Sequence, residues 1–386
     1  MNSFLYTFIM IGLWIVNLFN DTGLGAVYHT TERARIIIYV VFIFIAIWNF
    51  IHNRYYIDMH DVMVLGGMAV FFIITSLIQG QGMMGIHYIS AFVLIYILSK
   101  IGVTRKAVVM TGIAYLIMGI VILYIYDFGT ALSGWNPNTI GMLALYSYLI
   151  FLIPFYNSEK VLRSKLILIA VTILYVVLIE PTDSRSCTLF ALTAAILALS
   201  SMLRNLVIKS NQRYLGLLLI PLFIAVTVVW ISKTSYINTL NQWSLEKFQK
   251  TIFNGRDVLW DQGFQLFLHN FLFGRGSLSG NWHNCMIGIL TAYGCLGGIL
   301  WIASLKNILS KGRRWMNDLI VPGCVVAFLI MYIQQSVELG LVNEAPNLLP
   351  YIVLGMMLGR VNFLDKEEYF KGIEENGASE HYHTDL

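Results

Sequence analysis

The sequence predicts an all-α polytopic membrane protein, and three observations predict it. Only 12% of the residues are charged, about half the share a water-soluble domain carries. Mean hydropathy is +0.71 and 58% of the chain is hydrophobic. The apolar residues gather into about twelve runs, most of them near the length that crosses about 30 Å of hydrocarbon.

Those runs fall near 4–19, 36–51, 62–78, 83–99, 107–126, 138–154, 166–180, 187–203, 214–231, 284–305, 319–338 and 347–360. The first has no Lys or Arg before it and no A-x-A-like site after it, so it reads as a span and not as a signal peptide. Charge in the connections sets the expected orientation. With the N-terminus inside, the inside connections hold Arg54, Lys100, Arg105, Lys106, Lys160, Arg163, Lys165, Arg204, Lys209, Arg213, Lys306, Lys311, Arg313 and Arg314. With Arg360, Lys366 and Lys371 in the tail, that side takes seventeen of the 25 basic residues. Both termini are therefore expected in the cytoplasm. The expected organisation is a transmembrane domain over 1–363, which includes a long extracytoplasmic loop over 232–283. A polar, acidic tail over 364–386 follows, and it is expected to be mobile.

Several function classes fall away on composition. The net charge of +4 is small, and the basic residues are dispersed between apolar runs, which argues against a nucleic-acid partner. Cys187, Cys285, Cys295 and Cys324 form no CxxC pair and lie in or beside apolar segments, as small buried hydrophobes do. The chain has no P-loop, no Gly-rich dinucleotide motif and no DxD-like metal motif, all of which would suit a nucleotide-fed reaction on the inside, and no cofactor is expected. It has no internal repeat, which counts against an inverted-repeat transporter.

The loop between Trp230 and Asn284 has its own pattern. Val258, Leu259, Phe264, Phe267, Leu268 and Phe271 recur at spacings of three and four, as on an amphipathic helix over 256–269. Asn254-Gly255 precedes it as a turn, and Phe273-Gly274-Arg275-Gly276 follows it as a break. A second short helix is expected over Trp243–Phe253. Both suit segments lying on the outer membrane surface, and both suit a cap over the mouth of a bundle.

The outer side carries Arg185, Arg256, Arg275 and His283. Singly, each has an ordinary reading: Arg185 can snorkel or pair with Asp183, and the others can be loop cations or an interfacial histidine. Pro181 should end the helix before Arg185, and Ser184 or Ser186 can cap the next. Taken together, the four suggest chemistry. Guanidinium groups bind phosphate oxygens bidentately and stay charged at any relevant pH. A pair of them suits a diphosphate leaving group. A histidine beside them suits removal of a proton from an attacking hydroxyl.

Here the sequence resembles a family. Gly255-Arg256-Asp257-Val258-Leu259-Trp260, then Phe273-Gly274-Arg275-Gly276, then His283-Asn284, then Tyr293-Gly294-Cys295-Leu296-Gly297-Gly298 look like the signature block of the O-antigen polymerase/ligase superfamily. Asp183-Ser184-Arg185-Ser186 resembles that family's Ser-Arg motif, and Gly134-Trp135-Asn136-Pro137-Asn138-Thr139 resembles its Asn-containing loop. The resemblance implies a GT-C-like membrane glycosyltransferase in the bacterial inner membrane, using undecaprenyl-diphosphate-linked glycans as donor and acceptor on the extracytoplasmic side. It implies that Arg185 and Arg256 hold the donor diphosphate and that His283 is the general base or orients the acceptor hydroxyl. Arg275 and Asn284 are implied as substrate contacts, with Arg275 at a variable position of its turn. Trp135, Asn136 and Asn138 would line the glycan path, although Asn138 could equally cap the next helix.

Within that superfamily a Wzy-like polymerase of repeat units is expected ahead of a ligase that transfers finished glycan to lipid A core. A chain-length regulator and a flippase are the partners such a pathway implies. The rival of another class is a lipid-linked oligosaccharide flippase, which would place ionisable residues inside its spans. The spans here are nearly free of them; His87, Glu180 and Glu338 lie at or near span ends.

Overall fold

The computed structural model describes residues 3–21, 59–82, 85–128, 136–156, 162–208, 210–249, 251–277, 280–338, 340–342 and 346–382. Among the described residues, the regular structure is entirely helical. The helices are α1 (Ser3–Asp21), α2 (Met59–Ile78), α3 (Ile86–Ser99), α4 (Arg105–Phe128) and α5 (Pro137–Leu152). They continue with α6 (Leu162–Ile179), α7 (Arg185–Leu199), α8 (Ser201–Ile208), α9 (Asn211–Leu218) and α10 (Ile220–Ser232). The last five are α11 (Tyr236–Phe248), α12 (Arg256–His269), α13 (Cys285–Lys311), α14 (Val321–Gln334) and α15 (Leu349–Tyr382).

The protein is a membrane protein. Four helical segments, 105–126, 137–155, 162–182 and 285–315, are long and apolar enough to cross a bilayer, and six if each bent pair is one span. One bent pair is α7 with α8, at 103°; the other is α9 with α10, at 43°. Shorter apolar helices cover Ser3–Phe19, Met63–Ile78, Ile89–Ser99 and Val321–Gln334. The expected run at 36–51 lies outside the described residues. The last expected span, 347–360, is the beginning of α15, which continues through the polar segment to Tyr382.

The lysine-rich end of the bundle is held by polar contacts. Asp318, in the turn before α14, accepts the backbone N–H groups of Ile320 and Val321 on one oxygen and is paired with Arg360 of α15 at 2.8 Å. Arg360 also donates to the Val103 carbonyl. Ser3 at the start of α1 meets Thr104 at 3.0 Å, so α1 begins where the first part of α15 arrives. At the far end of α1, Asn17 accepts the backbone N–H of Leu348, just before α15 begins.

One span is completed by a loop. Within α13, Gly294 leaves helical geometry at φ 66° and ψ −168°. A break there strands the N–H groups of Cys295 and Leu296 and the carbonyls of Thr291 and Ala292, which an unbroken helix would pair with each other. Residues 271–276 supply all four partners. Cys295 N–H donates to the Phe271 carbonyl at 2.8 Å and Leu296 N–H to the Leu272 carbonyl at 3.4 Å. The Thr291 and Ala292 carbonyls accept from the N–H groups of Arg275 at 3.0 Å and Gly276 at 2.7 Å. An unpaired peptide group in a membrane interior costs several kcal/mol, so this exchange is what permits the break. Gly274, at φ 69°, lies so close that a Cβ there would meet the Ala292–Tyr293 peptide at 2.4 Å.

Of the two helices expected in the long loop, one shifts at both ends and the other keeps its bounds. The helix expected over Trp243–Phe253 is α11, Tyr236–Phe248. It stops because Gln249 adopts a left-handed conformation and closes the last turn on Leu245, after which Asn241 accepts the N–H of Ile252. Local backbone closure decided that end, and apolar spacing does not report it. The helix expected over 256–269 is α12.

Candidate functional site

Arg256 is the first residue of α12 because Asn254 and Gly255, both at positive φ, turn the chain there. One turn later Trp260 is buried and donates from Nε1 to the Trp282 carbonyl at 2.6 Å. Gly263 sits flat against Ile287 and Trp282, where a Cβ would meet Ile287 at 2.5 Å. These contacts fix the start of α12 beside the turn that carries His283. The helix does not bury its whole apolar stripe: Val258 and Leu268 are exposed, as are Phe271, Leu272 and Phe273 beyond it. Apolar side chains facing outward at this position suit contact with lipid.

His283 adopts φ 48°, a left-handed conformation uncommon for a residue with a side chain. Asn284 follows as the cap of α13, its Oδ1 accepting from the N–H groups of Met286 and Ile287. Its Nδ2 donates to the Pro221 carbonyl at 2.9 Å and the Ser336 carbonyl at 3.0 Å. The amide therefore uses both donors and both lone pairs inside the protein. The resemblance implies a substrate contact at Asn284; in the structure its amide ties α10, α13 and the end of α14 to the His283 turn.

Glu338 brings the site together. It lies just past α14, with its side chain only 9% exposed. Its Oε1 accepts from Arg256 Nη2 at 3.1 Å, and its Oε2 lies 3.7 Å from His283 Nδ1. The second distance is longer than a hydrogen bond, and Nδ1 is buried with no hydrogen-bond partner among the described residues. In the sequence Glu338 stands out only as an ionisable residue at a span end. The available signal was its position, the first acidic residue after a largely apolar run from Leu319.

A buried polar floor adjoins the end of α14. Gln335 donates to the Tyr146 hydroxyl at 2.7 Å and to the Gln334 carbonyl oxygen of the side chain at 2.8 Å. Its own Oε1 accepts from Leu341 N–H, and its backbone carbonyl accepts from Cys285 N–H. Gln334 Nε2, Ser336 Oγ and Ser186 Oγ are buried there or nearby without hydrogen-bond partners among the described residues. Groups of this kind are commonly satisfied by ordered water or by a ligand.

Arg185 stands at the head of α7, at the same end of the bundle. Gly141 of α5 packs on Ser184, Met142 receives a contact from Gln335, and the Glu338 carboxylate interacts electrostatically with Cys187. Arg185 does not join the Glu338 pair. Its Nε lies 3.7 Å from Asp183, with both side chains 63% exposed. Neither serine caps α7 through its side chain in the expected way: Ser184 occupies the cap position, but its hydroxyl donates to the Cys187 sulfur at 3.1 Å. Pro181 lies in a single 3-10 turn, Glu180–Thr182, after α6 ends at Ile179.

The remaining expected residues divide. Arg275 is exposed, its backbone is committed to the break in α13, and it makes no ion pair among the described residues. It is apart from Glu338 because the Phe273–Gly276 turn is anchored at Thr291 and Ala292, about two helical turns along α13 from Asn284. Asn136, and not Asn138, caps α5: its Oδ1 accepts Asn138 N–H at 3.0 Å, with Pro137 in the first turn. Asn138 is partly buried, and Trp135 lies outside the described residues.

The arrangement offers a guanidinium held by a buried carboxylate, an imidazole beside that carboxylate, and a second, exposed guanidinium on the neighbouring helix. It can bind an anion of more than one oxygen and place a proton acceptor close to it. No family model, curated relative or solved structure matches the chain.

Proposed function

We propose that the chain is a glycosyltransferase of the O-antigen polymerase/ligase superfamily, with about twelve spans and a GT-C-like fold in the bacterial inner membrane. It joins undecaprenyl-diphosphate-linked repeat units into surface polysaccharide on the extracytoplasmic face, and both of its termini are cytoplasmic. The observation that carries this reading is the Arg256–Glu338–His283 cluster at one end of the bundle. Residues 82 apart in the chain come together there, in a chain whose spans are otherwise poor in charge.

In this reading the donor diphosphate binds between Arg256 and Arg185. Arg185 is exposed at the head of α7, where its guanidinium can be reached by an anion from outside. His283 takes the proton of the acceptor hydroxyl as that oxygen attacks the anomeric carbon. The bond from that carbon to the diphosphate breaks, and the arginines stabilise the charge that develops on the leaving group. Glu338 is a positioning residue for both Arg256 and His283. A flippase would line an aqueous path through its spans; this ionisable cluster is instead held where three chain segments meet.

The test is replacement of Arg185, Arg256 and His283 by Ala, one at a time, at matched membrane levels, with surface glycan length read on gels. Each variant should lose long glycan. Normal chains in all three would overturn the catalytic assignment. Deletion of the gene separates the two activities of the superfamily: single-repeat products indicate the polymerase, and long lipid-linked chains that never reach their acceptor indicate the ligase.

A further inference from the structure

A cavity of about 340 Å³ lies between α2 and α3, and its lining shares no residue with the proposed active site. It is lined by Leu65, Met68 and Ala69 from α2 and by Ile89, Phe92 and Tyr96 from α3, with Gly66 and Val93 at its sides. That volume is in the range of small-ligand sites, which run from about 300 to 1,000 Å³. Apart from the Tyr96 hydroxyl, its walls offer no side-chain hydrogen-bonding group among the described residues, which suits an apolar chain.

The cavity does not end in apolar walls. Leu65, Phe92 and Tyr96 also line a small neighbouring space of about 30 Å³, and there the other walls include Ser99, Ser304, Asn307 and Lys311. Lys100 sits over the Tyr96 ring at 4.6 Å, at the same mouth. An apolar chamber thus opens through Tyr96 into a polar neck edged by two half-buried lysines. The mouth lies at the end of the bundle where α3 and α13 finish, the end that also carries Arg313, Arg314 and Arg360.

We propose that this is a binding site for an anionic phospholipid, with one acyl chain between α2 and α3 and the phosphate at Lys100, Lys311 and Asn307. Charge complementarity selects the occupant. A zwitterionic lipid would add its own ammonium to a mouth that already holds two, whereas an anionic headgroup is attracted by each basic side chain near the membrane surface. The two neck serines donate inside the protein, Ser99 to the Tyr96 carbonyl and Ser304 to the Met68 sulfur, so the headgroup is met by the lysines and Asn307. The proposal is independent of the glycosyltransferase reading, because none of these residues belongs to the Arg256–Glu338–His283 cluster.

The experiment is native mass spectrometry of the full chain released from mild detergent, with phosphatidylglycerol and phosphatidylcholine supplied in turn. Phosphatidylglycerol should be retained in preference. Lys311→Gln and Lys100→Gln should each weaken its retention about fivefold, the worth of one basic side chain at a membrane surface. Gly66→Leu should also lower retention by filling the chamber, since a Cβ at Gly66 meets nothing within 4 Å. Arg105→Gln, an exposed cation outside both linings, should leave retention unchanged. Equal retention of the two lipids would overturn the proposal. So would an Arg105→Gln loss as large as that of Lys311→Gln, or full retention in both Gly66→Leu and the lysine variants.

Discussion

Arg256 and Glu338 are joined across 82 residues of chain by a 3.1 Å ion pair whose carboxylate side is almost wholly buried. The pair links the first turn of α12 to the end of α14, and His283 stands beside it. Removing one member of such a pair leaves the other without its partner, which costs more than the pair itself contributes. Glu338→Ala should therefore destabilise the protein by about 1–3 kcal/mol, discounted because Arg256 retains some access to solvent. Thermal melting of the purified protein measures this. The Glu338→Ala/Arg256→Ala double variant should lose clearly less than the sum of the single changes, and strict additivity would show that the two are not coupled.

Asn284 provides a test that separates support from substrate contact. Its amide is fully used by α10, α13 and the chain after α14. Asn284→Ala should lower stability by about 2 kcal/mol or more, and Asn284→Asp should recover only the part that comes from capping. A variant with unchanged melting but no glycan product would return Asn284 to the substrate-binding role expected from the sequence.

Gly274 and Gly294 should each resist replacement by Ala. Both have positive φ, which costs a non-glycine residue roughly 1–2 kcal/mol, and in both a Cβ would strike backbone at 2.3–2.4 Å. A loss of at least about 2 kcal/mol, or absence of the protein from membranes, is expected for either. Gly12, whose Cβ would meet nothing within 4 Å, is the control and should accept Ala without loss.

Asp318 carries a pH dependence. Burial alone would raise its carboxyl, but hydrogen bonds from Arg360, Ile320 and Val321 and the Arg360 charge together hold it below its usual 3.8. A depressed folded-state value stabilises the fold above the ordinary carboxylate range, and that contribution disappears as pH falls through the depressed value. Asp318→Asn should cost about 1–3 kcal/mol at neutral pH, and the difference from the parent should shrink below about pH 4. Melting curves across that range measure it; a gap that stays constant with pH would assign the loss to something other than this charge.

Much of the fold was legible because burial in lipid demands long apolar runs, and these stand out in composition. Most of the runs read from the sequence appear as helices, while 36–51 falls outside the described residues. Arg256 and His283 were legible as a set through motif order. Glu338 was not, since its significance is a contact across 82 residues that no local pattern encodes. Arg275 was legible only through the resemblance; in the structure its backbone and the flanking glycines serve the break in α13, and its side chain is exposed, apart from Glu338.

That break also bears on how the molecule is made. A span interrupted at Gly294 would enter the bilayer with bare peptide groups unless residues 271–276 were already in place. Those residues precede the span in the chain and are synthesised first. Membrane insertion of α13 and docking of the preceding loop are then a single biogenesis step. A lesion in the Phe273–Gly276 turn would be read by the cell as a failure of integration and removed by quality control before any question of activity arises.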